Sequence, residues 1–361
     1  MNHPGTERPR PYHRLATLRP EWSARARPLL TVLAAFIAYV VLASVVLVLT
    51  ILVLALAPGV NIAIGVTSGD PTSPLDTVLA LLMGAMWLPA GIVGVRIGGW
   101  RPLGTAWSVA ARLRRELLRP LGVWMAAGAL VTVAIAAVAG LLASSAEPAG
   151  AAADGGAPLL QLLLVVVIVL VLAPLQAVGL ELTLRGVILQ AVGTWLRSPV
   201  IPFVAVAGIS LIGRQLTPAV VIPALALALA AAVLAWKSGG LELPIILTLT
   251  TTAGSLIVSA LAAGTGAGAG ASALSAAVAA PGTSAAALAD HGAAAGHDEL
   301  ASAGAFAGLE DAALAGGVSS AVAVLLLTVL LVGLISRREG LALLEPVGRP
   351  ADDPVPGPVL V

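Results

Sequence analysis

The sequence predicts an all-α, polytopic transmembrane helical bundle of about eight spans with both termini cytoplasmic, and three observations predict it. Hydrophobic residues make up 59% of the chain and charged residues only 10%, with a mean hydropathy of +1.02, far from the balance of a soluble domain. Runs of roughly 20 apolar residues recur without an interrupting charge, the length needed to cross a bilayer core. The basic residues gather in alternate connections. With 19 Lys+Arg against 18 Asp+Glu, no net positive field points to nucleic acid. The absence of cysteine removes disulfides, thiolate metal sites and cysteine nucleophiles together.

Residues 1–27 form an Arg-rich segment carrying Arg8, Arg10, Arg14, Arg19, Arg25 and Arg27, expected to be a cytoplasmic tail. The apolar run that follows ends Ala55-Leu56-Ala57 and could be mistaken for a signal peptide. It is close to twice the usual length of such a region, so it reads as an uncleaved first span. The spans fall at about 29–57, 77–95, 120–143, 158–179, 199–213, 218–236, 243–263 and 318–336, edged by Pro28, Pro58, Pro120, Pro158, Pro199 and Pro244. The fifth is the shortest.

Arg96, Arg101, Arg112, Arg114, Arg115, Arg119, Arg197, Lys237, Arg337, Arg338 and Arg349 then share one side, with Arg214 the exception. Asp70, Asp76, Glu147, Asp154, Asp290, Asp298, Glu299, Glu310 and Asp311 share the other. The positive-inside rule makes the first side cytoplasmic. Trp22, Trp100, Trp107, Trp124, Trp195 and Trp236 fall near that side, as an interfacial aromatic belt would.

Five regions follow: the tail 1–27; 28–119, two spans plus an interfacial helix; a membrane core over 120–263; an external loop over 264–317; and 318–361, a last span and cytoplasmic tail. The interfacial helix is expected in TAWSVAARLRRELLR. A helical wheel there puts Trp107, Ala110, Ala111, Leu113, Leu117 and Leu118 on one side, and Arg112, Arg115, Glu116 and Arg119 on the other. A solvated loop helix fits equally well. The Gly/Ala-rich 264–317 has too little bulky apolar surface for a core and reads as a flexible loop. His291, His297, Asp298 and Glu299 lie there, where chance clustering explains them better than a metal site. The remaining histidines, His3 and His13, sit in the N-terminal tail, so no histidine falls in a span. Abundant Ala, Val, Leu, Gly and Arg with a single lysine, Lys237, suggests a GC-rich bacterial source and so a bacterial inner (plasma) membrane.

The segment GLELTLRG, 179–186, places Glu181 and Arg185 at the end of an apolar run. An ionised side chain at bilayer depth costs several kcal/mol, so such residues are functional candidates by default. Their i, i+4 spacing, with Glu N-terminal, also suits an intrahelical ion pair, and that alone could explain both.

APLQAVGLELTLRGVILQAVGTWLRSP, residues 173–199, resembles the signature segment of the CPBP family of CAAX-processing and bacteriocin-processing intramembrane proteases. Its first motif is two glutamates, three residues, then arginine and commonly glycine. Glu181, Arg185 and Gly186 match, whereas Leu180 stands at the first glutamate. The second motif, phenylalanine with histidine four residues on, falls on AGISLIGRQLTP and puts Gly213 and Thr217 at those places. The third, histidine with asparagine four residues on, falls on WKSGGLELPIILTLTTTAG and puts Thr248 and Thr252 there. The resemblance covers about 120–340. It implies a site built from Glu181, Arg185 and these substituted positions.

Peptide hydrolysis needs a base for water and stabilisation of the oxyanion. Threonine hydroxyls are not bases near neutral pH and ligate zinc poorly, so no metal and no other cofactor is expected. A degenerate, non-catalytic member that binds a membrane peptide or regulates a partner protein follows. An active glutamic endopeptidase using Glu181 as base, with Arg185 or the threonines stabilising the oxyanion, is one alternative, and a transporter component is another. The threonines of LTLTTTAGS equally suit plain helix packing. Membrane lipid is the one partner that composition alone requires.

Overall fold

Apolar runs bounded by proline become helices in the computed structural model, which describes residues 9–24, 26–56, 70–144, 157–264, 299–350 and 353–355. Helix α1 is Arg27–Leu56, α2 is Pro74–Gly98, α3 is Arg115–Ala143, α4 is Leu159–Trp195, α5 is Val200–Ile209, α6 is Pro218–Ser238, α7 is Glu242–Gly264 and α8 is Glu299–Glu339. All but α5 are long and apolar enough to cross a membrane. The chain is an all-α membrane bundle, with a single two-stranded ribbon among the described residues, β1 (Arg10–Pro11) on β2 (Gly348–Arg349).

Arg10 pairs antiparallel with Arg349, so the first and last described segments meet at one face of the bundle. Helix α5 is the short one. Ten residues of α5 rise about 15 Å, half a bilayer core. Gly213, at φ +79°, and the polar Arg214-Gln215 carry the chain on to Pro218.

Packing is close where glycine allows it. A Cβ on Gly179 of α4 would stand 2.5 Å from the Leu88 backbone nitrogen of α2, so the two backbones touch there. Tyr39 of α1 stacks on Trp87 of α2 with centroids 3.6 Å apart. Helix α8 lies against α3 and α6, and α7 against α4 and α3. Between them sit Met125, Leu234, Leu247 and Leu331, all fully buried. Leu163, Val167, Leu170 and Val171 of α4, and most of α1, present large apolar side chains outward, as a lipid-facing wall does.

Three expectations are corrected. The sequence pattern puts an external loop over 264–317, but α8 already begins at Glu299. The reason is local: ELASAGAFAGLEDAALAGG is rich in alanine, the strongest helix former. His291, His297 and Asp298 lie outside the described residues. The amphipathic helix over 105–119 is broken. A short helix ends at Trp107, Ala111 takes φ +55°, and Ser108 bridges Gly240 while its hydroxyl donates to the Arg112 carbonyl at 2.6 Å. Contacts with the α6–α7 turn outweigh the helical period. Finally, the described part of the segment expected as a tail packs on the helices: Tyr12, His13, Leu15, Ala16 and Trp22 are buried against the bundle.

Of the six tryptophans expected in the aromatic belt, Trp100, Trp124 and Trp195 are exposed at the ribbon-bearing end, and Trp22 is buried. Trp107 and Trp236 are half-buried, the latter edge-on to Phe203.

Candidate functional site

Helix α4 is irregular where it carries its charges. Pro174 lies inside it and, lacking an N–H, leaves the Leu170 carbonyl without its helical donor. Directly after Glu181 the helix widens into π-helical turns over Leu182–Leu189, a departure common at functional positions. Both devices lie within the signature-like segment.

Glu181 and Arg185 are almost wholly buried. Glu181 Oε1 accepts from Arg185 Nη1 at 3.0 Å and from Thr248 Oγ1 of α7 at 2.5 Å. Arg185 Nη2 donates to the Ala228 carbonyl of α6 at 2.9 Å. One carboxylate oxygen and one guanidinium thus tie three helices together. Glu181 Oε2 and Arg185 Nε have no hydrogen-bond partner. An ion pair at such depth is held only if desolvation is offset by these bonds.

The motif positions divide into two groups. Thr248 meets Glu181 across 67 residues of sequence, and Thr252 is buried one turn further along α7. Leu180 is buried beside Glu181 in the chain. Thr217 stands at the residue preceding α6, eleven residues before Ala228. At 1.5 Å per residue that is about 16 Å from the Arg185 contact. Gly213 faces open space. The second motif placement therefore does not join the others at Glu181.

A second polar layer, marked by no motif in the sequence, lies toward the ribbon-bearing face. Arg114, at the end of the broken 103–114 connection, clasps Glu242 at the start of α7. Its backbone N–H and Nε both donate to Oε1 at 3.1 Å, Nη2 donates to Oε2 at 2.8 Å, and Nη1 reaches the Ser238 carbonyl at 2.6 Å. Glu242 sits in the first turn of α7, where a helix favours an anion. The one signal in the sequence was a carboxylate at the head of an apolar run, in GLELP.

Arg101 Nη1 donates to Gln190 Oε1 at 2.6 Å, and Gln190 Nε2 donates to the Thr105 carbonyl at 3.0 Å. Tyr12 lays its hydroxyl on the Ala106 carbonyl at 2.5 Å. Burial pushes Arg101 down to about 10 and raises the Tyr12 phenol well above its usual value. Lys237 Nζ gathers the carbonyls of Ala342, Leu343 and Glu345, and Arg349 donates to the Val109 carbonyl at 2.8 Å. Segments from both ends of the chain are thereby fastened over the end of the bundle nearest the π-helical turn.

Chemically, the cluster of Glu181, Arg185 and Thr248 can bind helices together. Its hydrogen-bonded groups are a single carboxylate, a guanidinium and a threonine hydroxyl. Among the described residues no three His, Asp or Glu side chains group as a metal site would require. Comparison with protein-family models, with curated proteins and with solved structures returned no match.

Proposed function

We propose that the chain is a non-catalytic integral membrane protein on a CPBP-like frame. In it, Glu181, Arg185 and Thr248 serve as a joint between helices, and the protein binds a membrane peptide or regulates a membrane partner. The observation that carries the reading is the Thr248 Oγ1 to Glu181 Oε1 bond, which joins the first and third motif-like segments at the point where a family site would be assembled. A base there must reach water, yet Glu181, Arg185, Thr248 and Thr252 are all buried, and the oxygen facing Thr248 already accepts two bonds. The excess of arginine on the ribbon-bearing face supports a cytoplasmic position for it, with both ends of the chain inside a bacterial plasma membrane.

A second reading, an active glutamic endopeptidase, rests on one feature: Glu181 Oε2 is unpartnered and is the atom that would take a proton from water. Purified protein in liposomes, offered a panel of membrane-tethered peptides, separates the two. The proposal expects no cleavage above that of Glu181→Gln. Cleavage by the wild type that Glu181→Gln abolishes would establish the endopeptidase instead.

A further inference from the structure

A third group of cations takes no part in either polar layer. Arg14 lies in the docked N-terminal segment, and the preceding residue, His13, approaches the Arg197 carbonyl with Nε2 at 3.3 Å. The contact is tight: a Cβ on Gly193 would lie 2.0 Å from the His13 carbonyl oxygen. Arg14 and Arg197 therefore belong to two segments packed directly on each other. Arg10, in the ribbon strand that leads into this segment, is anchored by Nη1 on the Thr17 carbonyl. None of the three forms a salt bridge among the described residues. Burial and then the neighbouring Arg197 and Arg10 charges lower the Arg14 guanidinium. Its Nε–H is buried with no acceptor. Arginines on two segments packed on each other, with no carboxylate partner among the described residues, suit an anion at their guanidinium ends.

The surroundings say which anion. Trp195, just before Arg197, is exposed, and so are Val200 and Ile201 at the start of α5. An indole and two aliphatic side chains turned outward at a helix end mark the headgroup boundary of a bilayer. A soluble anion has no use for them, whereas a lipid puts its phosphate on the arginines and its acyl chain along α5.

We propose that Arg14 and Arg197, assisted by Arg10, hold the phosphate of an anionic phospholipid at the membrane boundary, with Trp195, Val200 and Ile201 receiving its glycerol and acyl portions. The site is independent of the reading of Glu181.

The test is competitive retention of phosphatidylglycerol against phosphatidylcholine on the full chain in detergent, counted by native mass spectrometry. Wild type retains one phosphatidylglycerol in preference. Arg14→Gln and Arg197→Gln each weaken that retention roughly fivefold, the scale of one basic residue at an anionic surface. Arg112→Gln, at an exposed arginine paired with Glu116, leaves it unchanged. Arg14→Lys, which keeps the charge, retains more lipid than Arg14→Gln and separates binding from loss of fold. Equal retention of the two lipids by wild type overturns the proposal. So does an Arg197→Gln protein that keeps its lipid, or inorganic phosphate displacing it at millimolar concentration, which would mark a site for a free anion.

Discussion

Removing the Glu242 carboxylate tests how the ribbon-bearing face is held. Arg114 gives Glu242 three bonds, two of them bidentate from the guanidinium, and its remaining Nη1 bond goes to the Ser238 carbonyl. In Glu242→Gln the guanidinium stays largely buried and loses its counter-charge. Breaking a buried pair from one side costs about 3–5 kcal/mol. The retained Ser238 bond, and a position at the end of the helices, place the loss near the lower limit, about 3 kcal/mol. The connection from Leu103 to Arg119 should loosen with it, so that trypsin cleaves after the exposed Arg112 and Arg115 faster from the ribbon-bearing side. Reversible unfolding in mixed micelles, with tryptic digestion of inside-out and right-side-out vesicles, reads both effects. The double variant Arg114→Met/Glu242→Leu should recover most of the stability, because it removes both charges together. A Glu242→Gln protein within about 0.5 kcal/mol of wild type, with unchanged digestion, would refute the clasp.

Other outcomes follow from the same contacts. His13 is buried and held down to about 4 against 6.5 for a free imidazole, so the fold favours the neutral ring. Its contribution is complete above about pH 6.5. It is lost as pH falls toward 4, by up to about 3 kcal/mol, and His13→Phe should flatten the acid limb of a stability–pH curve. Gly179→Ala should cost about 1–3 kcal/mol, because the obstacle is the Leu88 backbone and no side chain can move aside; a neutral thermal melt would contradict the close crossing of α2 and α4. Lys237→Met should free the 342–345 segment, whose carbonyls the ammonium gathers. Faster amide exchange confined to that segment is the expected readout.

The bundle was legible in the sequence because lipid leaves little choice: a long uncharged apolar run must satisfy its backbone internally, and helices do so. The GLELTLRG pair was legible for the same reason, since charges at depth stand out against leucine and valine. The limits are equally physical. Residues 105–119 carry a good helical period, but Arg114 is taken by Glu242 and Ser108 by the 239–240 turn, partners more than a hundred residues away. Tyr12, His13 and Leu15 sit among arginines and prolines, so their burial depends on a docking surface that exists only once α4 and α6 are in place. Thr217 shows that spacing alone does not bring a residue to a site: the turn after α5 sends it to the far end of α6. Thr248 needed no such detour, because α7 runs directly beside α4.

The central claim is that Glu181 and Thr248 are one joint, and a double-mutant cycle measures it directly. Thr248→Val keeps the shape and removes the hydroxyl. A bond to a charged acceptor contributes about 1.5–3 kcal/mol, and bonds between membrane helices reach at most about 1.7 kcal/mol, so about 1.5 kcal/mol lies within both ranges. The unfolding free energies of wild type, Thr248→Val, Glu181→Gln and the double variant should therefore show a coupling of about 1.5 kcal/mol, with Thr248→Val nearly neutral once Glu181 is gone. Losses that add to within about 0.5 kcal/mol would mean that the two side chains do not meet, and the joint between α4 and α7 would fall.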